Sequence, residues 1–521
     1  MPDRFVEIVE ESVRGGFFLF TGNILSTFIL AVGSIIVARL LGPESYGLYS
    51  LSLVVPSILV GLVDLGMDPA LTRFIARLRA KGKSDLAAGM LRSGFLFKIL
   101  IGVSMSAVCF FFSEQFATYI LNRPEVVFLV RLTSPLILLQ AIFTAANSAF
   151  IGLDRMESNA LIMNVRSIVK VVSSCLLVAI GFGVAGSLTG QISGFLVASL
   201  IGISILLKHY RGLGDPSRSG FPGNLRVMLS YGLPLYFVNV LILFLGQYRT
   251  IILAFLASNT EIGNLNVAVT LSSAVNILVF PLSVLFPAFS KVNPDSSELK
   301  KLFTLSVKYT AVLIVPASVL IAAASKEIVH TFYGQMYDSA PFYLSLYILT
   351  FLYSGLGSMV FQYLFNGLGE TKTIFKANIL RAAFLIPLAP ALTVLYGVPG
   401  LIGAILISSL PSLAYKLFTA SRKFNLKIDF KSSMKTYLSS LLSAIPLMIF
   451  LQLSPLSSLL NLVFSCVIYI YTLLTIAPLT KTITREDLVN LRAILKTVSI
   501  LNPVINPILK YEEMILKLVD G

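Results

Sequence analysis

The side chains of this sequence that could do chemistry are mostly cations set inside apolar runs. Arg249 lies about two-thirds of the way through one such run, close to Gln247 and Asn239, and Arg131 sits one turn into another. Arg166 and Lys170 are spaced i, i+4, which puts both on one helix face, and Arg381 occupies a further run. A charge facing lipid costs at least about 2.5–3.5 kcal/mol, so an ionisable residue deep in a span normally faces protein or water. No carboxylate lies near the middle of the runs that carry these cations, which points to a positive, water-filled cavity suited to an anionic headgroup. Guanidinium is the better phosphate ligand because its planar fork donates two hydrogen bonds. Arg249, Arg381 and Arg166 are therefore expected to contact the anion, with Lys170 and Arg131 adding field. Asn23 and Asn239 either bind hydroxyl groups of a ligand or tie helices together. Lys98 and Lys308, at the starts of their runs, are expected to snorkel to the cytoplasmic interface, and Arg39 marks the outer one. Asp64 is the one carboxylate placed to couple an ion, but it falls at the end of its run, where a plain surface role competes. Cys109, Cys175 and Cys466 have neither pairing nor metal-ligand spacing, and His209 and His330 are far apart in sequence. No GxxxxGK[ST] run occurs, so neither a metal, a cofactor nor ATP hydrolysis is expected.

The elements that must position these residues follow from composition. Of 521 residues, 56% are hydrophobic and 12% charged, and the mean hydropathy is +0.87, which describes an all-α integral membrane protein. About 20 apolar residues are needed to cross the hydrocarbon layer. About fourteen windows qualify: 16–40, 46–66, 93–112, 126–151, 162–181, 184–207, 231–257, 263–289, 302–324, 340–366, 374–396, 398–419, 435–453 and 456–478. The first run is too long for a signal peptide's apolar segment, so none is expected. With the N-terminus inside, all but five of the 40 Lys and Arg fall on the cytoplasmic side: Arg123 and Lys326 lie outside, and Arg39, Arg131 and Arg249 lie within spans. This asymmetry puts both termini in the cytoplasm and explains the net charge of +15 by topology, with no nucleic-acid partner. Outer connections such as Gly42 to Ser45, Gly181 to Gly183 and Gly397 to Pro399 leave no room for an ectodomain.

The sequence also matches itself at an offset of about 215 residues. Asn23 aligns with Asn239, Gly47 with Gly263, and Ser84-Asp85-Leu86 with Ser297-Glu298-Leu299. Gly152-Leu153 followed by Arg166 aligns with Gly367-Leu368 followed by Arg381, and Gly183-Val184-Ala185-Gly186 with Gly397-Val398-Pro399-Gly400. An even number of spans per copy keeps both in one orientation. The expectation is two parallel, pseudo-symmetric six-helix lobes around a central cavity, 1–215 and 216–425, then two additional helices in 426–480 and an amphipathic tail in 481–521. Such lobes suit alternating access by rocking. Pro56, Pro234, Pro281, Pro316 and Pro387 interrupt spans and permit bends. Gly33, Gly61 and Gly246 serve as packing contacts or as hinges. In the tail, Leu488, Leu491, Leu495 and Val498 recur at helical spacing beside Arg485, Arg492 and Lys496, the pattern of a helix on the membrane face. Docking of glycan-assembly proteins there is the alternative.

The run Ala38-Arg39-Leu40-Leu41-Gly42-Pro43-Glu44-Ser45-Tyr46-Gly47-Leu48-Tyr49-Ser50-Leu51 resembles the first-loop signature of the Wzx-type flippases of polysaccharides and lipid-linked oligosaccharides. Asp64-Leu65-Gly66, followed by Ala70, Arg73 and Ile75, is similar to the end of that family's second span. The resemblance covers about residues 10–425. It implies the fold of the multidrug/oligosaccharidyl-lipid/polysaccharide exporter superfamily, two six-helix bundles in a V, and a polyprenyl-phosphate or diphosphate-linked oligosaccharide as cargo. Two extra spans are a feature shared with lipid II flippases of that superfamily. A cation-coupled multidrug exporter would carry an acidic residue inside the first or seventh span, and neither has one. A membrane glycosyltransferase would want paired carboxylates and a large outer loop. No enzyme activity is expected.

Overall fold

The computed structural model describes residues 2–210, 220–279, 285–489, 492 and 502–520; side chains within 2–19, and a few elsewhere including that of Asn239, are outside the description. Every regular element among the described residues is helical. Among the described residues, eight helical stretches are long and apolar enough to cross a membrane, or nine if the bent pair Ala340–Leu356 and Val360–Gly367 is one traverse. Three of them, Phe20–Ala80, Met156–Tyr210 and Thr371–Phe424, are 61, 55 and 54 residues long. Each is far longer than a single crossing needs. Glycines break them without ending them: Gly42 (φ 72°, ψ 171°), Gly181 and Gly183, and Gly397 (φ 64°, ψ −146°) take backbone angles closed to residues with a Cβ. These are the positions of the short outer connections expected from sequence.

The chain forms two units, Met1–Gly263 and Asn264–Gly521. In the first, the main helices are α1 (Pro2–Ser52), α2 (Val54–Asp64), α3 (Met67–Ala80), α4 (Ser84–Phe111), α5 (Ser134–Gly152), α6 (Met156–Leu177), α7 (Gly183–Tyr210) and α8 (Phe221–Leu256). Helix α6 packs along α7 and α1, and α4 along α5. Their core joins Met67, Leu71 and Ile75 of α3 to Phe143, Ala146 and Phe150 of α5 and to Phe195 and Ala198 of α7. The window 46–66 underestimates the second span. After a left-handed step at Leu65 and Gly66 the helix resumes as α3 and runs to Ala80. Its charges, Asp68, Arg73, Arg77 and Arg79, lower the hydropathy that a window reads. For the same reason α4 begins at Ser84 and not at 93.

The second unit contains α9 (Asn259–Ser272, whose first turns belong to the first unit), α10 (Ser297–Ala323), α11 (Ser325–Tyr333), α12 (Ala340–Tyr347), α13 (Val360–Gly367), α14 (Thr371–Phe424), α15 (Phe430–Leu453), α16 (Ser458–Leu479) and α17 (Asn502–Asp520). Phe289, Phe303, Phe361 and Phe365 centre one core. Ser439, Ser440, Ser443 and Ala444, all buried, line α15 where it packs on α10 and α16. Small residues let helix backbones approach closely, which is how apolar helices associate where lipid removes the hydrophobic driving force.

The repeat read from sequence recurs as packing. A Cβ on Gly152 would meet Ile75 and Thr72, and one on Gly367 would meet Phe289 and Phe286, the residues at the matching offset. Asp154 and Gly369, likewise matched, both have positive φ just after α5 and α13. Within the first unit, Gly47 faces the Asn259 backbone and Gly263 faces Pro43, so the two aligned turns make reciprocal contacts. Gly33 and Gly61 are packing contacts, against Val171 and Leu243, whereas Gly246 faces open space. Pro281 lies outside the described residues.

Candidate charged site within the spans

Lys98 is the fifteenth of the 28 residues of α4, so it sits midway along that helix, and its side chain is 1% exposed. Its Nζ donates to Asp68 Oδ1 at 2.5 Å, to Thr144 Oγ1 at 2.7 Å and to Asp64 Oδ1 at 3.3 Å. Three N–H groups meet three oxygens, which saturates an ammonium. This overturns the expectation that Lys98 snorkels. It also corrects the placement of Asp64 at a span end: the left-handed step puts its carboxylate over the start of α3, where Oδ1 accepts the Asp68 amide at 3.1 Å. Asp68 occupies the first turn of α3, at the positive end of the helix dipole. Thr144 donates its own proton to the Ala141 carbonyl, which leaves a lone pair for Lys98. The two carboxylates are 29% and 24% exposed, whereas the ammonium is enclosed. Asp68 was not singled out in the sequence, because its window ended two residues too early.

A second feature of the first unit is a cavity of about 40 Å³ lined by Gly33, Ser34, Tyr46, Tyr49, Lys170 and Ser187, among others. That volume holds a few water molecules. Tyr46 and Tyr49 belong to the signature run and stack with ring centroids 5.8 Å apart. Tyr46 pairs with Ser34 (3.0 Å), and Tyr49 donates to Gln191 Oε1 (2.8 Å). Lys170 brings a cation to this hydroxyl-rich wall. One helical turn away, the Arg166 guanidinium lies over the rings of Phe143 (5.4 Å) and Phe195 (5.1 Å), and its buried Nε has no hydrogen-bond partner. Among the described residues neither cation forms an ion pair with a carboxylate. Helical spacing thus brought Arg166 and Lys170 together as expected.

The other expected residues are more scattered. Arg381, half-buried on α14, has the charge of Lys416 for a neighbour; the sequence reading passed over Lys416. Arg249 and Gln247 are half-buried on α8, and Asn23 is half-buried on α1. The side chain of Asn239 lies outside the described residues. Arg131 is exposed, donating to Ser113 (3.1 Å) beside the end of α4 and lying over Phe110. It does not line the Lys170 cavity. Lys308 also departs from the snorkelling expectation: its Nζ is 2.5 Å from buried Asp487, which accepts from Tyr309 as well (3.2 Å). Burial pushes the Asp487 carboxyl up, but the Lys308 hydrogen bond and those from Thr484 outweigh it, leaving it below the usual range. The described part of the tail is therefore docked on the second unit: Leu488, Leu509 and Leu516 form a small core, and Tyr511 pairs with Thr475 of α16. Leu491, Leu495, Lys496 and Val498 lie outside the described residues.

Long apolar helices broken at glycines, with ion pairs closed inside them, define an all-helical, multi-pass membrane protein. Its fold is that of the transporters and flippases of the MOP superfamily. A lipid II flippase, MurJ, in an inward closed conformation matches with a TM-score of 0.71 and 17% identity over 90% of this chain and 98% of that one. An inward-facing multidrug resistance MATE transporter matches with a TM-score of 0.67 and 16% identity over 77% and 94%. The chain belongs to the polysaccharide biosynthesis protein family, whose pattern matches residues 12–293. Among curated relatives, it is 25% identical over 356 residues to the succinoglycan biosynthesis transport protein ExoT of Rhizobium meliloti (strain 1021), 67% of each chain.

Proposed function

We propose that this chain is a flippase, moving a polyprenyl-phosphate or diphosphate-linked oligosaccharide from the cytoplasmic to the outer leaflet by alternating access. On this reading both termini are cytoplasmic, 1–215 and 216–425 are the moving lobes, 426–480 supplies two additional spans, and the tail, 481–521, lies on the cytoplasmic side. The observation that carries it is a cation without a carboxylate partner among the described residues, Lys170, in a hydroxyl-lined cavity of a polysaccharide-biosynthesis family member. A lipid-linked glycan has the complementary chemistry: an anionic phosphate for Lys170 and Arg166, and hydroxyls for Tyr46, Tyr49 and Ser34. Arg249, Arg381 and Gln247 are assigned to the same headgroup along its path, with Asn23 and Asn239 meeting sugar hydroxyls and Arg131 adding field at the exit. With the cell interior negative, outward movement of an anion is favoured by about 2.3 kcal/mol per charge per 100 mV.

The test is translocation of a labelled polyprenyl-diphosphate oligosaccharide in proteoliposomes under an imposed potential, comparing wild type with Arg249→Ala and Lys170→Ala. Loss of a hydrogen bond to a charged group is worth about 1.5–3 kcal/mol, so each variant should slow translocation about tenfold or more. Full-rate translocation by both removes the cationic headgroup site. A cation-coupled exporter is the second reading, favoured by the partly exposed carboxylates Asp64 and Asp68. Uptake of an organic cation with no glycan-lipid movement would select it.

A further inference from the structure

The cluster around Lys98 contains one cation and two carboxylates. Asp64 ends α2 and Asp68 lies in the first turn of α3, so the negative and positive helix ends offset each other, and two ionised carboxylates against one ammonium would leave the cluster short of neutrality. That deficit lies midway along α4, where an uncompensated charge is costly. Lys98 cannot make it up, because its three donors are already spent. Among the described residues, the charged or titratable groups facing the pair are few. Lys98 comes from α4; Tyr236 of α8 feels the charge of Asp64; α5 offers only the neutral Thr144. We infer that Asp64 and Asp68 together hold one exchangeable proton, making the break between α2 and α3 a proton site built into the first unit.

A proton fits better than a metal ion. The ammonium already occupies the position between the carboxylates that a cation would take, and no group of three or more His, Cys, Asp or Glu among the described residues could hold a metal. The carboxylates are partly exposed while the ammonium is enclosed, so a proton can reach them without breaking the Lys98 contacts. The balance is simple, since one carboxylate takes a proton from water to become a carboxylic acid and returns it. This site deepens the ion-coupling role that the sequence suggests for Asp64, by adding Asp68 as the partner and Lys98 as the fixed counter-charge.

The experiment needs no lipid-linked substrate, so it succeeds or fails independently of the flippase reading. Infrared difference spectra of the full-length protein in nanodiscs are recorded between acidic and alkaline pH, in potassium and in sodium buffer. Besides the bands of Glu512 and the surface carboxyls, wild type should show a further titrating carboxylic-acid C=O band that is insensitive to sodium. Asp64→Asn and Asp68→Asn each leave a one-to-one ion pair that needs no proton, so both near-isosteric variants should lose the band while remaining monodisperse. Asp85→Asn, in the first turn of α4, should keep it. Persistence of the band in both cluster variants, its absence from wild type, or its displacement by sodium would overturn the proposal. Should one cluster variant fail to fold, the other alone decides.

Discussion

Three oxygens hold Lys98, and the chemistry of an ammonium explains why the substitution of any one of them has a definite sign. Lys98→Met leaves two carboxylates without their counter-ion. Breaking a buried pair from one side costs about 3–5 kcal/mol, so this variant should show the largest fall in detergent melting temperature of any single change in the cluster. Thr144→Val removes one uncharged acceptor of a charge-assisted bond and should cost about 1.5–3 kcal/mol. Equal melting of Lys98→Met and wild type would mean that the cluster contributes nothing to folding. The site at this scale was half legible in sequence. Arg166 and Lys170 share a face by arithmetic, and Asp64 is visible as a carboxylate in an apolar setting. Lys98 looked like an interface residue because its partners are 30 and 34 residues away, a distance that no local pattern spans.

At the scale of elements, glycine sets where the long helices turn. Gly183 and Gly397 are matched by the repeat and adopt related backbone angles, φ 52°, ψ −133° and φ 64°, ψ −146°. Such conformations cost a residue with a Cβ about 1–3 kcal/mol. Gly183→Ala and Gly397→Ala should therefore destabilise by similar amounts in a denaturation series, and markedly unequal losses would show that the two turns bear different loads. Window hydropathy found the apolar stretches but stopped at the break between α2 and α3 and missed the continuation of the helix as α3. A span closed by internal ion pairs tolerates charge, and hydropathy counts that charge as if it were exposed.

At the scale of the whole molecule, the tail is a docked element whose attachment depends on pH. Burial, then the Asp487 charge, pushes the Glu512 carboxyl up to about 7 from its ordinary 4.5. A carboxyl raised on docking favours the docked form while it is protonated, so its contribution is complete below 4.5 and lost as pH rises through about 7. Asp487 works in the opposite sense: its lowered value supports docking above its ordinary 3.8 and ceases to do so in stronger acid. Proteolytic cleavage near the tail should accelerate from pH 5 to pH 8, taken as roughly bracketing the Glu512 transition. Glu512→Gln should flatten that dependence, while Asp487→Asn should free the tail at every pH by releasing Lys308. A cleavage rate independent of pH in wild type would contradict the role of Glu512.

The sequence by itself determined that the chain is helical and apolar, because hydropathy is a property of linear order, and a signature run carried the family. It also placed Arg166 beside Lys170, since helical geometry makes neighbours of residues four apart. Tertiary structure alone decided which charges are paired. Lys98 meets Asp68, and Lys308 meets Asp487 across 179 residues, because packing of separate helices brings them to within hydrogen-bonding distance. Inside a membrane that pairing, more than the count of charges, separates an ammonium locked into the fold from one such as Lys170 that is left facing a cavity.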